Sequence, residues 1–132
     1  MRGLHLTADL RGCAAASAVM TSPAALRSAC LEAVAGAGLT AVGELFHRFA
    51  ASHAQATSAG ITGVVLLAES HVAVHTWPEL GAATLDVYVC NVAADNSRRA
   101  EALLATLIDA FAPGSVERHA RERGALPSRV AG

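Results

Sequence analysis

Lysine is absent from this chain, and all ten of its cations are arginine. That lack excludes a lysine Schiff base, including the usual anchoring of pyridoxal phosphate. A basic excess is missing too: the formal net charge is −1. The arginines scatter except at Arg98-Arg99 and from Arg118 to Arg123, which leaves no footprint for a phosphate backbone. Nucleic acid is not an expected partner. Long apolar runs are lacking. The opening "MRGLHLTADLR" has no signal-peptide core, and the greasy stretch around Val64 to Ala68 falls far short of the ~20 residues that cross a bilayer. A cytoplasmic protein without membrane attachment is expected. The three cysteines, Cys13, Cys30 and Cys90, form no CxxC pair, so neither a disulfide framework nor a zinc knuckle is indicated.

What the chain does have is apolar material. With 53% hydrophobic and 16% charged residues over 132 positions, it can pack one core, and a single domain over 1–132 is expected. "GLHLTADLR" alternates Leu4, Leu6, Ala8 and Leu10 with polar residues, the period of a half-buried strand. Ser22 is placed to cap a helix and Pro23 suits its first position. Leu26, Cys30, Leu31 and Val34 then recur at helical spacing until Gly36 to Gly38 end it. "LTAVGELFHRF" returns to extended chain. "AASHAQATSAG", from Ala50 to Gly60, reads as a mobile loop. Ile61 to Trp77 and Ala83 to Cys90 read as strands. Asn96 to Phe111 places Leu103, Leu104, Leu107, Ile108 and Phe111 on one helical face, and "SVERHARER" reads as a last strand. The order predicts an α+β two-layer sandwich, a mainly antiparallel sheet with two helices packed on one face.

One stretch resists a purely structural account. "LLAESHVAVHTWPE", from Leu66 to Glu79, is a buried-strand pattern interrupted by Glu69, Ser70 and His71. A metal site on His71 and His75, with His47 or Cys90, is disfavoured. Residues four apart on a strand lie roughly 13 Å apart, and zinc ligands sit near 2 Å from the ion. A Ser-His-Asp hydrolase built on Ser70, His75 and Asp86 lacks the G-x-S-x-G elbow. The plainest alternative is a turn serine beside a core histidine.

The stretch "GVVLLAESHVAVHTWPE" closely resembles the prokaryotic S-adenosylmethionine decarboxylase proenzyme family, pyruvoyl enzymes that cut themselves at a Glu-Ser bond. The likeness rests on Glu69-Ser70-His71, on His75-Thr76-Trp77-Pro78-Glu79, and on Cys90, with offsets of five and fifteen from Ser70 to His75 and from His75 to Cys90. "GLHLTADLRGC", "FHRF" and "ITG" extend it over most of the chain. It implies a β chain of residues 1–69 and an α chain of 70–132 that begins with a pyruvoyl group made from Ser70. It also implies a dimer of αβ units, a substrate that is a small molecule, and a supply of aminopropyl donor for polyamine (spermidine) synthesis.

Decarboxylation at an amino-acid Cα needs an electron sink conjugated to the amine. With no lysine to hold pyridoxal phosphate, a backbone ketone supplies the sink, and no metal is expected. Ser70 Oγ attacks the Glu69 carbonyl to give an ester, a base removes the Ser70 α-proton, and elimination leaves dehydroalanine that hydrolyses to pyruvoyl. The resemblance assigns the base to His75, expected close to the scissile bond, with Thr62 helping to hold the oxyanion. In turnover the substrate amine forms a Schiff base with the ketone, and Cys90 returns a proton to Cα. Phe49 is implied to stack the adenine and Glu79 to contact the ribose.

Two departures from the family pattern bear on the substrate. The connection between Phe49 and Thr62 is longer than usual, and "LGAATLD" stands where an aromatic-rich "YGYAAVD"-like run is usual. Arginine or ornithine therefore stays open as the substrate, gripped by Asp9 or Glu79. An uncleaved, non-catalytic paralogue stays open as well.

Overall fold

The computed structural model describes residues 2–50, 59–91 and 94–124, so most of the expected Ala50 to Gly60 loop lies outside the described residues. The strands are β1 (Gly3–Arg11), β2 (Ala41–Arg48), β3 (Ile61–Leu67), β4 (Ser70–Trp77), β5 (Ala82–Cys90) and β6 (Ser115–Arg123). The helices are α1 (Ala18–Thr21), α2 (Pro23–Gly36) and α3 (Ser97–Phe111), and a 3-10 turn covers Pro78–Leu80. The six strands form one sheet in the order β2-β3-β4-β5-β1-β6, antiparallel at every pairing. The expected α+β sandwich is observed, with the short α1 added to the two helices that periodicity reveals.

Local chemistry sets these elements. Ser22 Oγ accepts from Ala25 N–H at 3.2 Å, and Pro23 opens α2 where its missing N–H costs nothing. Along the central strands every second side chain is buried: Leu6, Ala8 and Leu10 in β1, Val72 and Val74 in β4, Ala83, Leu85, Val87 and Val89 in β5. These meet Leu26, Cys30, Ala33 and Val34 of α2 and Ala100, Leu103, Leu104, Leu107 and Phe111 of α3 in one core. The buried Cys30 thiol is pushed up to about 12 by its apolar surroundings, and Cys13 is raised by the same cause. Both are inert packing groups. In β3, the Gly63 of "ITG" has a steric reason: a Cβ there would come within 2.3 Å of the Phe46 ring from "FHRF".

Among the described residues, Thr76 is the one polar residue whose side chain is buried with the core. Its hydroxyl accepts from Ile61 N–H at 3.0 Å and donates to the Met20 carbonyl at 2.9 Å, tying the start of β3 to α1 through β4. Thr76→Val keeps the shape and strands two buried backbone groups, each costing about 1–3 kcal/mol. A fall in denaturation midpoint with unchanged slope is expected in urea titration, and an unchanged midpoint would remove this role.

The second face of the sheet is part-exposed and polar. Strand register arranges it in rows: His47, Thr62, His75, Thr84 and Asp9 in one, and His71, Tyr88 and His5 in another nearer the β3-β4 turn.

Candidate active site

Ser70 is the first residue of β4, and it pairs with Leu67 across a two-residue turn of Ala68 and Glu69. Only Glu69 of these two has positive φ, at 59°. Favoured two-residue hairpins place positive φ at the first central position or at both. Positive φ at the second alone is the type II arrangement, which calls for glycine. A glutamate there stores roughly 1–2 kcal/mol of backbone strain in the residue whose carbonyl precedes Ser70.

Cys90 lies beside this turn because β5 runs antiparallel to β4, with Tyr88 paired to His71. Its backbone N–H donates to Ser70 Oγ at 3.2 Å, which fixes the serine rotamer. The end of β5 is itself pinned: the Cys90 carbonyl accepts from Asn96 Nδ2 at 3.0 Å, and Asn91 N–H donates to the Arg2 carbonyl at 2.7 Å. Tyr88 occupies the same sheet face as Cys90, two residues before it on β5.

His75 and Thr62 are directly cross-strand, sharing a hydrogen bond of 2.9 Å between Nδ1 and Oγ1. The imidazole stacks on Trp77 with ring centroids 5.9 Å apart and planes 28° off parallel. Phe49 is half-exposed just past β2, its N–H donating to the Gly60 carbonyl at 2.9 Å and its ring edge-on to His47, the cross-strand partner of Thr62. Glu79 is exposed in the 3-10 turn after Trp77, and Asp9 pairs with Thr84, the neighbour of His75. Phe49, Thr62, His75, Thr84 and Asp9 thus gather at one end of the face.

The expectation that His75 lies close to the scissile bond is corrected by this geometry. Ser70 and His75 are five residues apart on one continuous strand, which at ~3.3 Å per residue separates them by about 16 Å. Thr62 is equally far, since it pairs with His75. Asp86, the third member of a hypothetical hydrolase triad, is bonded instead to His5, Oδ1 to Nε2 at 3.0 Å. Within one chain there are two half-sites: Glu69, Ser70, Cys90 and Tyr88 at one end, and the Thr62-His75 group at the other. Tyr88 escapes the motif reading. The signal for it is simple, a tyrosine two residues before Cys90 on a period-two strand.

Comparison with known proteins agrees over nearly the whole chain. The family model for S-adenosylmethionine decarboxylase matches residues 4–124. The S-adenosylmethionine decarboxylase proenzyme of Archaeoglobus fulgidus is 33% identical over 92% of this chain and 97% of that protein. The proenzyme of Aquifex aeolicus is 36% identical over 92% of this chain and 81% of that protein. The crystal structure of the adenosylmethionine decarboxylase from Aquifex aeolicus superimposes with a TM-score of 0.81 at 32% identity, covering 98% of this chain and 97% of that one. A Trypanosoma brucei AdoMetDC monomer shares the fold at a TM-score of 0.54 and 16% identity, over 87% of this chain and 44% of that one. With the family model spanning both half-sites and relatives matched along most of their own lengths, the chain belongs to the S-adenosylmethionine decarboxylase family.

Proposed function

We propose that this chain is a self-processing decarboxylase of S-adenosylmethionine that cuts between Glu69 and Ser70 and carries its pyruvoyl group on Ser70. The observation that supports this most directly is the turn itself. A strained Glu69 presents its carbonyl to a serine whose Oγ is already held by the Cys90 amide. Ser70 Oγ adds to the Glu69 carbonyl carbon, the amide C–N bond breaks and an ester forms. Loss of the Ser70 α-proton then expels the Glu69 carboxylate, and hydrolysis of the dehydroalanine releases ammonia.

The fold suits a group at that position. After the cut, the new chain end stays at the head of β4, flanked by β3 and β5. The two pieces also interleave, because β1 of the first piece lies between β5 and β6 of the second. A pyruvoyl ketone joined to the substrate amine serves as the sink for the electron pair left when carbon dioxide departs. Cys90, whose backbone N–H meets Ser70 Oγ, is the residue we assign to hold and return a proton to Cα.

The two half-sites call for a second copy of the chain. A proton transfer needs heavy atoms about 2.6–3.2 Å apart, and about 16 Å of β4 separates His75 from Ser70 in one chain. A homodimer that sets the β3-β4 turn of one chain against the far end of β4 in the other would bring Thr62 and His75 of one chain to Ser70 of its partner. The same packing carries Phe49 and Glu79 toward that Ser70, giving an adenine-stacking ring and a ribose acceptor. The polar sheet face also presents apolar surface at its β2-β3 edge, where Leu45 and Leu66 are half-exposed or more.

The substrate is tested by carbon dioxide release from carboxyl-labelled S-adenosylmethionine, arginine and ornithine on fully cleaved protein. Turnover of the first alone is expected. Phe49→Ala should then weaken its binding by about 1–3 kcal/mol, the range for stacking a base on an aromatic ring. Turnover of arginine or ornithine alone overturns the substrate while leaving the self-cleavage chemistry intact.

A further inference from the structure

The Ser70 half-site holds a residue that the processing and decarboxylation chemistry above does not use. Tyr88 is clamped between two imidazoles on the open face. His71 of β4 stacks on it with ring centroids 5.6 Å apart and planes 23° off parallel, and His5 of β1 meets it edge-on at 6.3 Å and 74°. Its cross-strand partners are these same two histidines. The hydroxyl does not point at either of them. It lies over Gly3, where a Cβ would come within 2.4 Å of the phenol oxygen and 2.8 Å of Cζ. Gly3 is the cross-strand partner of Cys90. The missing side chain at Gly3 therefore leaves the Tyr88 hydroxyl room directly across from Cys90, two residues further along its own strand.

From this geometry we infer that Tyr88 is a positioning residue for proton return: its O–H holds the Cys90 sulfur and donates to the thiolate that forms as Cys90 gives up its proton. The inference rests on the proposed role of Cys90 as proton donor. When the S–H bond breaks, its proton goes to the substrate Cα and the electron pair stays on sulfur, next to a neutral phenol that need not lose its own proton. A hydrogen bond to a charged acceptor is stronger than one to a neutral acceptor. The contact is thus tighter after transfer than before it, which is the condition for speeding a step. Burial raises the Tyr88 pKa above the usual tyrosine value, and the hydrogen bond to Cys90 and the charge of that group raise it further, while Arg123 on β6 pulls the other way. The remaining titratable neighbours are His71 on β4, His5 on β1 with its partner Asp86, and Arg121, which pairs with His5.

Tyr88 is the only tyrosine in the chain, so its ionisation is read directly as tyrosinate absorbance in an alkaline titration. In the cleaved protein, Cys90→Ala should move that midpoint down toward the ordinary tyrosine value. Tyr88→Phe should self-cleave as the parent does, keep its KM and lose roughly 10- to 100-fold in kcat. Gly3→Ala, whose Cβ would meet the phenol oxygen and the ring atoms Cζ and Cε2, should push the tyrosine away from Cys90 and reproduce the loss. A midpoint unmoved by Cys90→Ala, or full kcat in Tyr88→Phe, overturns the inference. Full kcat in matured Cys90→Ala is a different failure, since it removes the donor role on which Tyr88 depends.

Discussion

Ser70→Ala is expected to leave one unbroken chain where the parent yields two, Met1–Glu69 and Ser70–Gly132, the second blocked to stepwise amino-terminal sequencing because a pyruvoyl end carries no amine. No other residue in the turn can replace the nucleophile, since Ala68 has no side-chain heteroatom and the Glu69 carboxylate belongs to the acyl side of the bond. Decarboxylation should fall to background, because the chain has no lysine to hold an alternative electron sink. The fold should survive. The variant gives up one hydrogen bond, from Cys90 N–H to Ser70 Oγ, which is worth about 1 kcal/mol, and the strand pairings on both sides of residue 70 use only backbone groups. Intact-mass measurement checks the cut, and size-exclusion chromatography of the parent should show both pieces travelling together. A parent chain that stays whole on long incubation, with Ser70 unmodified, removes the mechanism.

Much of the fold is legible in the sequence, for reasons that differ by element. Alternation in "GLHLTADLR" and "AATLDVYVC" is strict because each strand has one face on the helices and the other open, so burial and period coincide. The Ser22-Pro23 pair marks the start of α2 because both residues act locally. Strand order is not local. That β1 inserts between β5 and β6 depends on contacts more than seventy residues apart, and nothing in the β1 sequence encodes them. Thr76 and Tyr88 were missed for related reasons. A threonine in a strand looks unremarkable until Ile61 N–H and the Met20 carbonyl are found at its hydroxyl, and Tyr88 gains meaning only from the empty space at Gly3. The position of His75 is the instructive case. The same rise per residue that keeps His71 and His75 from sharing a metal also keeps His75 from Ser70, once Ser70 to Trp77 is one uninterrupted strand. A five-residue offset in a motif suggests proximity only if the chain turns between its members, and here it does not.

That separation leads to the largest effect expected of any pairing of variants. His75→Ala alone should stall maturation at the ester, leaving a chain that hydroxylamine still cuts at Glu69, because general-base catalysis is typically worth 10²- to 10⁴-fold. Ser70→Ala alone should not mature at all. If Thr62 and His75 act across a two-fold interface, co-expressing the two inactive chains restores one complete site in each hybrid dimer: Ser70 from the His75→Ala chain, His75 from the Ser70→Ala chain. Random pairing at equal expression then matures about half of the His75→Ala chains and none of the Ser70→Ala chains, since a two-fold interface presents the same patch twice. Differently tagged chains separated after mixing report which one was cut. Thr62→Ala in place of His75→Ala should complement in the same direction, because Thr62 Oγ1 is bonded to His75 Nδ1 and travels with it. Cys90→Ala should not rescue Ser70→Ala turnover, since Ser70 and Cys90 belong to the same half-site. Absence of any cleavage in the hybrid, with dimers present, would place the processing base within the same chain and would require β4 to bend by more than 10 Å from its extended form, or would assign the proton abstraction to a residue near the turn, of which His71 on the adjoining position is the nearest imidazole.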